Sequence, residues 1–226
     1  MDSVDINYAE SKGIKVVNTP DGPTRAVAEF TLGLTLSLLR KIHIAHSDLK
    51  NKIWKKQTGN LLFDKKIGIV GLGRIGKMVA EIFRSLGNQV IGYDIHPDKN
   101  WAYKHNIELR DMNDVLSLSD ILTIHVPGNN DGSHFIGSEE LKELKDDVFI
   151  INVSRGGVID ESALFNFLKK NERSSAAIDV FSEEPYNGML CKLENLILTP
   201  HIGSYAKEGK LKMEIDAVQN LIYALK

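Results

Sequence analysis

The chain has 226 residues, 42% of them hydrophobic and 26% charged, with a net charge of −2. Length and composition describe an ordinary globular protein of one large domain, or one domain with an appendage, and the near-neutral charge makes no electrostatic case for nucleic acid or an anionic membrane surface. No apolar run approaches a membrane span, no signal-like segment opens the chain, and the single Cys191 cannot form an internal disulfide, so a cytoplasmic protein with a free thiol is the expectation.

Residues 1–18 are short for a structural unit. Ile6, Tyr8 and Ala9 suggest a helical turn, Gly13 a stop, and residues 14–17 a strand. Residues 19–23 read as a loop, from Pro20, Gly22 and Pro23. Pro23 and Thr24 open a long helix carrying Val27, Phe30, Leu34, Leu38 and Leu39 on one side. Leu32, Leu36 and Ile42 widen its apolar circumference, so burial on several sides is expected, with a homodimer contact as the natural use of the surplus. His43 and His46, near the end of that helix, have no third ligand in sight; they read as solvated or capping residues, and no metal site is expected. Residues 51–64 form a polar loop around Trp54.

The stretch from Ile67 to Asp94 organises the rest. Ile67, Ile69 and Val70 make a short apolar strand, and Gly71-Leu72-Gly73-Arg74-Ile75-Gly76 is a G-x-G-x-x-G turn. Met78, Val79, Ile82, Phe83 and Leu86 then recur at helical spacing, Gly87 ends the helix, and residues 89–93 are a second strand closed by Asp94. Each type has a use in dinucleotide binding. Gly71 permits the tight turn, Gly73 lets the backbone approach a pyrophosphate, Gly76 lets helix and strand pack closely, and the helix N-terminus offers amides to the anion. Asp94, about 18 residues past Gly76, stands where a carboxylate accepts from ribose hydroxyls. The bare glycine pattern also fits a structural turn; the strand–turn–helix–strand–Asp context is what points to a dinucleotide.

The alternation continues with a helix near 99–105, a strand at 107–109, a helix at 112–118 and a buried strand at 121–126 ending in Pro127. A glycine- and asparagine-bearing loop spans 128–137, a helix 141–144 and a strand 148–153, followed at once by Ser154-Arg155-Gly156-Gly157. Asp160 caps a helix through Leu168; strands follow at 176–180 and 196–198; Ser204 opens a terminal helix to Leu225 with Ile215, Val218, Leu221 and Ile222 on its apolar face. Near-continuous apolar strands alternating with helices predict a doubly wound α/β fold, a parallel sheet covered on both faces. Ligands in such sheets sit beyond the carboxyl ends of the strands. Asp94, Pro127, Arg155, Asp179, Glu184 and His201 all lie at or just past predicted strand ends, and are expected to converge on one cleft.

The segments NTPDGPTRAVAEFTLG, GLGRIG, HVP, INVSRGGVIDESAL, AIDVFSEEP and LTPHIGS, in this order, resemble the D-isomer-specific 2-hydroxyacid dehydrogenases over the whole chain, and look most like the phosphoglycerate dehydrogenase branch. That resemblance implies a Rossmann NAD-binding domain at 19–205, a remnant of a substrate domain at 1–18, and a C-terminal helix, 206–226, returning toward that second domain. It implies Arg155 as the catalytic arginine, whose planar fork suits the carboxylate and adjacent oxygen of a 2-hydroxy or 2-keto acid. His201 would be the acid–base residue. Glu184, the residue before Pro185 rather than Glu183, would be its partner, a carboxylate that favours the imidazolium.

For the cofactor it implies NAD, with Gly71, Gly73 and Gly76 in the turn, Arg74 and Ile75 at the pyrophosphate and Asp94 at the adenosine ribose, where a carboxylate repels the 2′-phosphate of NADP. His125, Val126 and Pro127 pass near the adenine side. Val153, Ser154, Asp179 and Gly203 complete the set, with Val153, Asp179 and Gly203 at the nicotinamide end. The family usually carries a longer stretch ahead of the segment matching Asp2 to Asp5, which builds most of the substrate domain. The expectation is therefore a chain that binds NAD and turns over poorly, with apolar surface exposed on residues 1–18 and the terminal helix. A non-catalytic NAD-binding scaffold or sensor is the competing reading; phosphite and glycerate or hydroxypyruvate dehydrogenases are the alternatives within catalysis. Glu184 weighs against formate-oxidising relatives, which usually place a glutamine there.

Overall fold

The computed structural model describes residues 4–19, 21–129 and 132–225. The expectations for Met1–Ser3, for Pro20 in the first loop and for Asn130 in the later one lie outside the described residues. A seven-stranded sheet is the centre of the fold. Its strands are β1 (Lys66–Val70), β2 (Gln89–Tyr93), β3 (Glu108–Leu109), β4 (Ile121–Ile124), β5 (Phe149–Asn152), β6 (Ser175–Ile178) and β7 (Leu196–Leu198). All pairings are parallel, in the order β3-β2-β1-β4-β5-β6-β7. The chain runs outward from β1 through β2 to β3, then returns to β4 on the other side of β1. That reversal makes a crevice between the carboxyl ends of β1 and β4, the place where open α/β sheets bind ligands.

Strand residues alternate between two apolar clusters, one on each face of the sheet. Ile67, Ile69, Ile121, Phe149, Ile151 and Ala177 face one side, packed with Val27, Leu34, Leu38 and Leu39 of α2 (Thr24–Leu39) and Val79 and Phe83 of α4 (Arg74–Ser85). Val70, Leu122, Ile124, Ile150 and Ile178 face the other, packed with Val115 and Leu116 of α6 (Met112–Leu118) and Leu164 and Leu168 of α8 (Glu161–Lys170). Both faces are covered, so the strands read as near-continuous apolar runs; Thr123, buried within β4, is a polar exception whose hydroxyl meets the His125 ring. Asp160 caps α8 as its position predicts: its Oδ1 accepts from the amides of Ser162 (2.9 Å) and Ala163 (3.1 Å). Asp160→Ala is expected to destabilise the domain by about 0.5–2 kcal/mol, read as a lower midpoint in chemical denaturation.

Three local expectations are corrected. Residues 14–17 form no strand; among the described residues none pairs with them, and an unpaired segment gains no ladder bonds. The long helix ends at Leu39, and a separate α3 (Ile42–Lys50) carries His43 and His46. The break is at Lys41, left-handed at φ 51°, and no glycine announces it. Burial holds the His43 ring below the usual histidine pKa, which disfavours a charged, solvated role. The terminal helix α9 (Lys207–Ala224) starts after Ala206 and has no side-chain cap, so Ser204 does not cap it. A short 3₁₀ turn, Met189–Lys192, was not expected; the Tyr186 hydroxyl accepts from the Leu190 amide within it at 3.1 Å.

α2 is buried by the sheet and α4 rather than left for a partner. The exposed apolar residues instead lie on α3 and the loop after it: Ile42, Leu49, Ile53, Leu61, Phe63 and Trp54, the last 84% exposed. A second set, Leu211, Ile215, Val218 and Ile222, runs along α9, which has no buried residue. That helix is held to the start of the chain by Asn220 Nδ2 donating to the Asn18 carbonyl (2.8 Å) and by Lys15 Nζ donating to the Ala224 carbonyl. Among the described residues, no helix is long and apolar enough to cross a membrane.

Candidate active site

A cleft of about 690 Å³ opens over the carboxyl ends of β1, β4, β5 and β6. Gly71 leaves β1 at φ +94°, with its amide donating to the Tyr93 carbonyl at 2.8 Å. The turn is packed so closely that a Cβ on Gly71 would lie 2.7 Å from the His125 carbonyl oxygen, and one on Gly76 only 1.9 Å from the Gly71 oxygen. Gly73 differs: a Cβ there would meet nothing within 4 Å. It is the N-cap of α4 and supplies no side-chain hydrogen bond, so the first amides of the helix keep their donors for something else. Open space at Gly73 and an uncapped helix end fit a pyrophosphate. At the end of β2, Asp94 Oδ2 accepts from the Leu72 amide (2.7 Å) and Oδ1 from the His96 amide (2.8 Å). Each oxygen retains a lone pair, which fits two ribose hydroxyls.

Of the residues singled out from the sequence, Gly73, Arg74 and Ile75 line the cleft after β1, and His125, Val126 and Pro127 after β4. Val153, Ser154 and Arg155 line it after β5; Asp179, His201 and Gly203 close the remaining side. Gly71, Gly76 and Asp94 lie in the turn and behind it. The exposed Arg74 guanidinium stands 3.3 Å from Asp21. His125 is anchored through Nε2 to Thr123 Oγ1 at 2.9 Å, and burial pushes its pKa down to about 3, which favours the neutral ring. Asn152, buried at the end of β5, shapes the arginine loop: its Oδ1 accepts from the Ser154 amide (3.1 Å) and hydroxyl (2.7 Å). Arg155 Nη1 donates to the Ser154 carbonyl at 2.7 Å.

His201 Nδ1 lies 3.0 Å from Glu184 Oε2, and Glu184 Oε1 accepts from the Phe181 amide at 3.1 Å. Glu184 does not line the cleft. It borders a separate, mostly apolar pocket of about 560 Å³ with Pro185, Tyr186 and Leu198. The carboxylate therefore stands behind the imidazole, and Nε2 is the nitrogen left for a substrate. Burial alone would raise the Glu184 pKa, but the hydrogen bonds from His201 and the Phe181 amide outweigh it and hold the group below the usual glutamate value. A folded-state pKa below the unfolded one gives stability that is present above the unfolded value and lost as pH falls through the folded one. The Glu184 carboxyl is expected to titrate on the acid side of about 4.3 in carbon-13 spectra, and to move upward in His201→Asn.

Thr24, Val27, Ser204 and Met213 also line the cleft and were not singled out. Looking only at strand ends passes over the first turn of a helix. Thr24 is one of three buried threonines on that helix, with Thr31 and Thr35, so its residue type alone does not mark it.

A doubly wound parallel sheet with an open glycine turn at its switch point defines a dinucleotide-binding α/β domain. The family model described as "D-isomer specific 2-hydroxyacid dehydrogenase, NAD binding domain" matches residues 32–203, and the chain belongs to that family. It is 40% identical over 214 residues to a D-3-phosphoglycerate dehydrogenase of Methanocaldococcus jannaschii, covering 93% of this chain and 41% of the relative. It is 39% identical over 236 residues to a glyoxylate reductase of Thermofilum pendens, covering 100% of this chain and 69% of the relative. The crystal structure of a D-lactate dehydrogenase from Aquifex aeolicus, complexed with NAD and lactic acid, superposes with a TM-score of 0.88 at 25% identity, covering 100% of this chain and 73% of the other. The chain thus spans about two fifths of the length of the phosphoglycerate dehydrogenase relative and about seven tenths of the other two.

Proposed function

We propose that the chain is the cofactor-binding part of a D-2-hydroxyacid dehydrogenase, acting on a phosphoglycerate-like 2-hydroxy or 2-keto acid. The observation that carries this reading is the His201–Glu184 pair, 3.0 Å apart, with His201 on the edge of the same cleft as the glycine turn and Arg155. NAD, when bound, supplies the hydride acceptor or donor. Gly73, the first turn of α4 and Asp94 would hold its pyrophosphate and ribose. Asp94 disfavours the extra phosphate of NADP by charge. Arg155 holds the substrate carboxylate and polarises the oxygen on carbon 2. His201 Nε2 gives a proton to that oxygen as the keto acid is reduced, and takes it back in oxidation. Glu184 fixes the ring through Nδ1.

The domain division is part of the same proposal: residues 19–205 as the NAD unit, with 1–18 and 206–226 belonging to a substrate unit. The apolar residues left exposed along α9 support it. A cytoplasmic location and a role in serine biosynthesis belong to the same proposal, supported by the likeness to D-3-phosphoglycerate dehydrogenases. The exposed apolar residues of α3 and its following loop favour a homodimer, which sedimentation would show as twice 25.2 kDa. The same unburied surface also favours the second reading, an NAD-binding scaffold that docks onto a partner.

Turnover separates the two. NAD reduction with 3-phosphoglycerate, glycerate and lactate, and NADH oxidation with hydroxypyruvate, form the panel. The enzyme reading predicts slow but measurable turnover with at least one. NAD binding with no turnover across the panel supports the scaffold instead.

A further inference from the structure

His201 is a non-glycine residue at φ +53°, a conformation that few such residues adopt and that the surroundings must hold in place. The holding groups converge on one buried carboxyl. Asp179, 1% exposed at the end of β6, accepts the Thr199 hydroxyl (2.6 Å) and the Ile202 amide (2.9 Å) on Oδ1, and the Gly203 amide (2.8 Å) on Oδ2. These donors stand on both sides of His201 in the chain. Gly203 is tight against the same carboxyl: a Cβ there would be 3.0 Å from Asp179 Oδ2. The imidazole projects from this segment to Glu184, which hangs from the Phe181 amide on the chain leaving β6. Asp179 therefore stands at the root of both partners.

We propose that Asp179 is a positioning residue that clamps the segment 199–203, and so aims the His201 ring at Glu184 on one side and at the cleft on the other. This goes beyond a contact with the cofactor and rests on the proposed role of His201 in proton transfer. Oδ1 serves the clamp alone, with two donors on it. Oδ2 carries one donor, and Asp179 also lines the cleft, so a ligand there and the histidine segment share one rigid group. A ligand that pulls on Oδ2 shifts the segment carrying His201.

Thr199 separates clamping from cofactor contact, because its hydroxyl touches Oδ1 and not the glycine turn. The Nδ1 and Nε2 signals of His201 in long-range proton–nitrogen spectra, assigned by their loss in His201→Asn, read the ring directly. The wild-type chain is expected to hold the proton on Nδ1, toward Glu184, whereas a free neutral imidazole favours Nε2. Thr199→Val and Asp179→Asn are expected to move His201 toward the free-ring pattern, and Thr199→Ser, which keeps the hydroxyl, to restore it. His125, bonded to Thr123, should keep its signals in all three and reports that the fold survives. In turnover, Thr199→Val should lower kcat about 10-fold with NAD affinity little changed, the result of misaiming a reacting group. Unchanged His201 signals in both Thr199→Val and Asp179→Asn overturn the clamp. Absence of turnover in the wild type overturns the enzyme reading but leaves the ring measurement standing.

Discussion

Replacing His201 by asparagine is expected to lower hydride transfer by roughly 10²- to 10⁴-fold, the usual contribution of a positioned acid–base group, while leaving NAD affinity unchanged. Asparagine is the informative choice for a structural reason. His201 sits at φ +53°, and asparagine is one of the few residues that accept the left-handed region with little strain. The backbone of the segment, held by Asp179 through Thr199, Ile202 and Gly203, has no cause to move. What disappears is a ring that carries a proton on one face and meets a carboxylate on the other. NADH oxidation at saturating keto acid, beside calorimetric NAD binding, checks both halves. Turnover at the wild-type rate would remove His201 from the mechanism.

The second large effect is at the glycine turn, and it divides neighbouring glycines into two kinds. Gly76→Ala places a Cβ 1.9 Å from the Gly71 oxygen. That oxygen is backbone and belongs to the turn itself, so α4 must separate from β1. Overpacking of this kind costs typically about 1–3 kcal/mol and more when no side chain can yield. The expected result is a lower melting temperature together with loss of NAD binding. Gly73→Ala meets no protein atom within 4 Å. It should leave melting nearly unchanged, since only a glycine-to-alanine propensity difference at a helix cap remains, and yet weaken NAD, because the added methyl occupies the approach to the pyrophosphate. Melting curves and calorimetry on the pair test this. Equal stability losses in both variants would mean that the space at Gly73 is not kept for a ligand.

The alternation of strands and helices was legible because burial on both faces leaves each strand an apolar run. α6 was expected at its observed bounds, and β7 likewise. The strand-end rule gathers Asp94, Pro127, Arg155, Asp179, Glu184 and His201; Pro127, Arg155, Asp179 and His201 line one cleft, while Asp94 and Glu184 stand outside its lining. What stayed hidden depends on packing rather than pattern. Nothing in Arg40-Lys41 marks the left-handed residue that splits α2 from α3. Residues 14–17 have strand-like composition, but a strand is made by its neighbour. Ser204 is a good capping type two residues before Ala206, where the helix boundary falls. Gly73 and Gly76 look alike in the motif, and only their surroundings reveal that one is packed and the other open.

The sense of the glycine motif rests on Asp94. Both its oxygens already accept a backbone amide, from Leu72 and His96, so it shapes the turn, and in the proposed reading it serves the ribose as well. That double use explains why charge selection and turn geometry should fail together if Asp94 is replaced.

Calorimetric titration of the 226-residue chain with NAD, and in parallel with NADP, tests the central claim most directly. The predicted result is saturable binding of one NAD per chain with NADP far weaker, as the proposed role of Asp94 at the ribose requires. Absence of NAD binding by a folded chain, or equal affinity for NADP, would contradict the cleft as it is described.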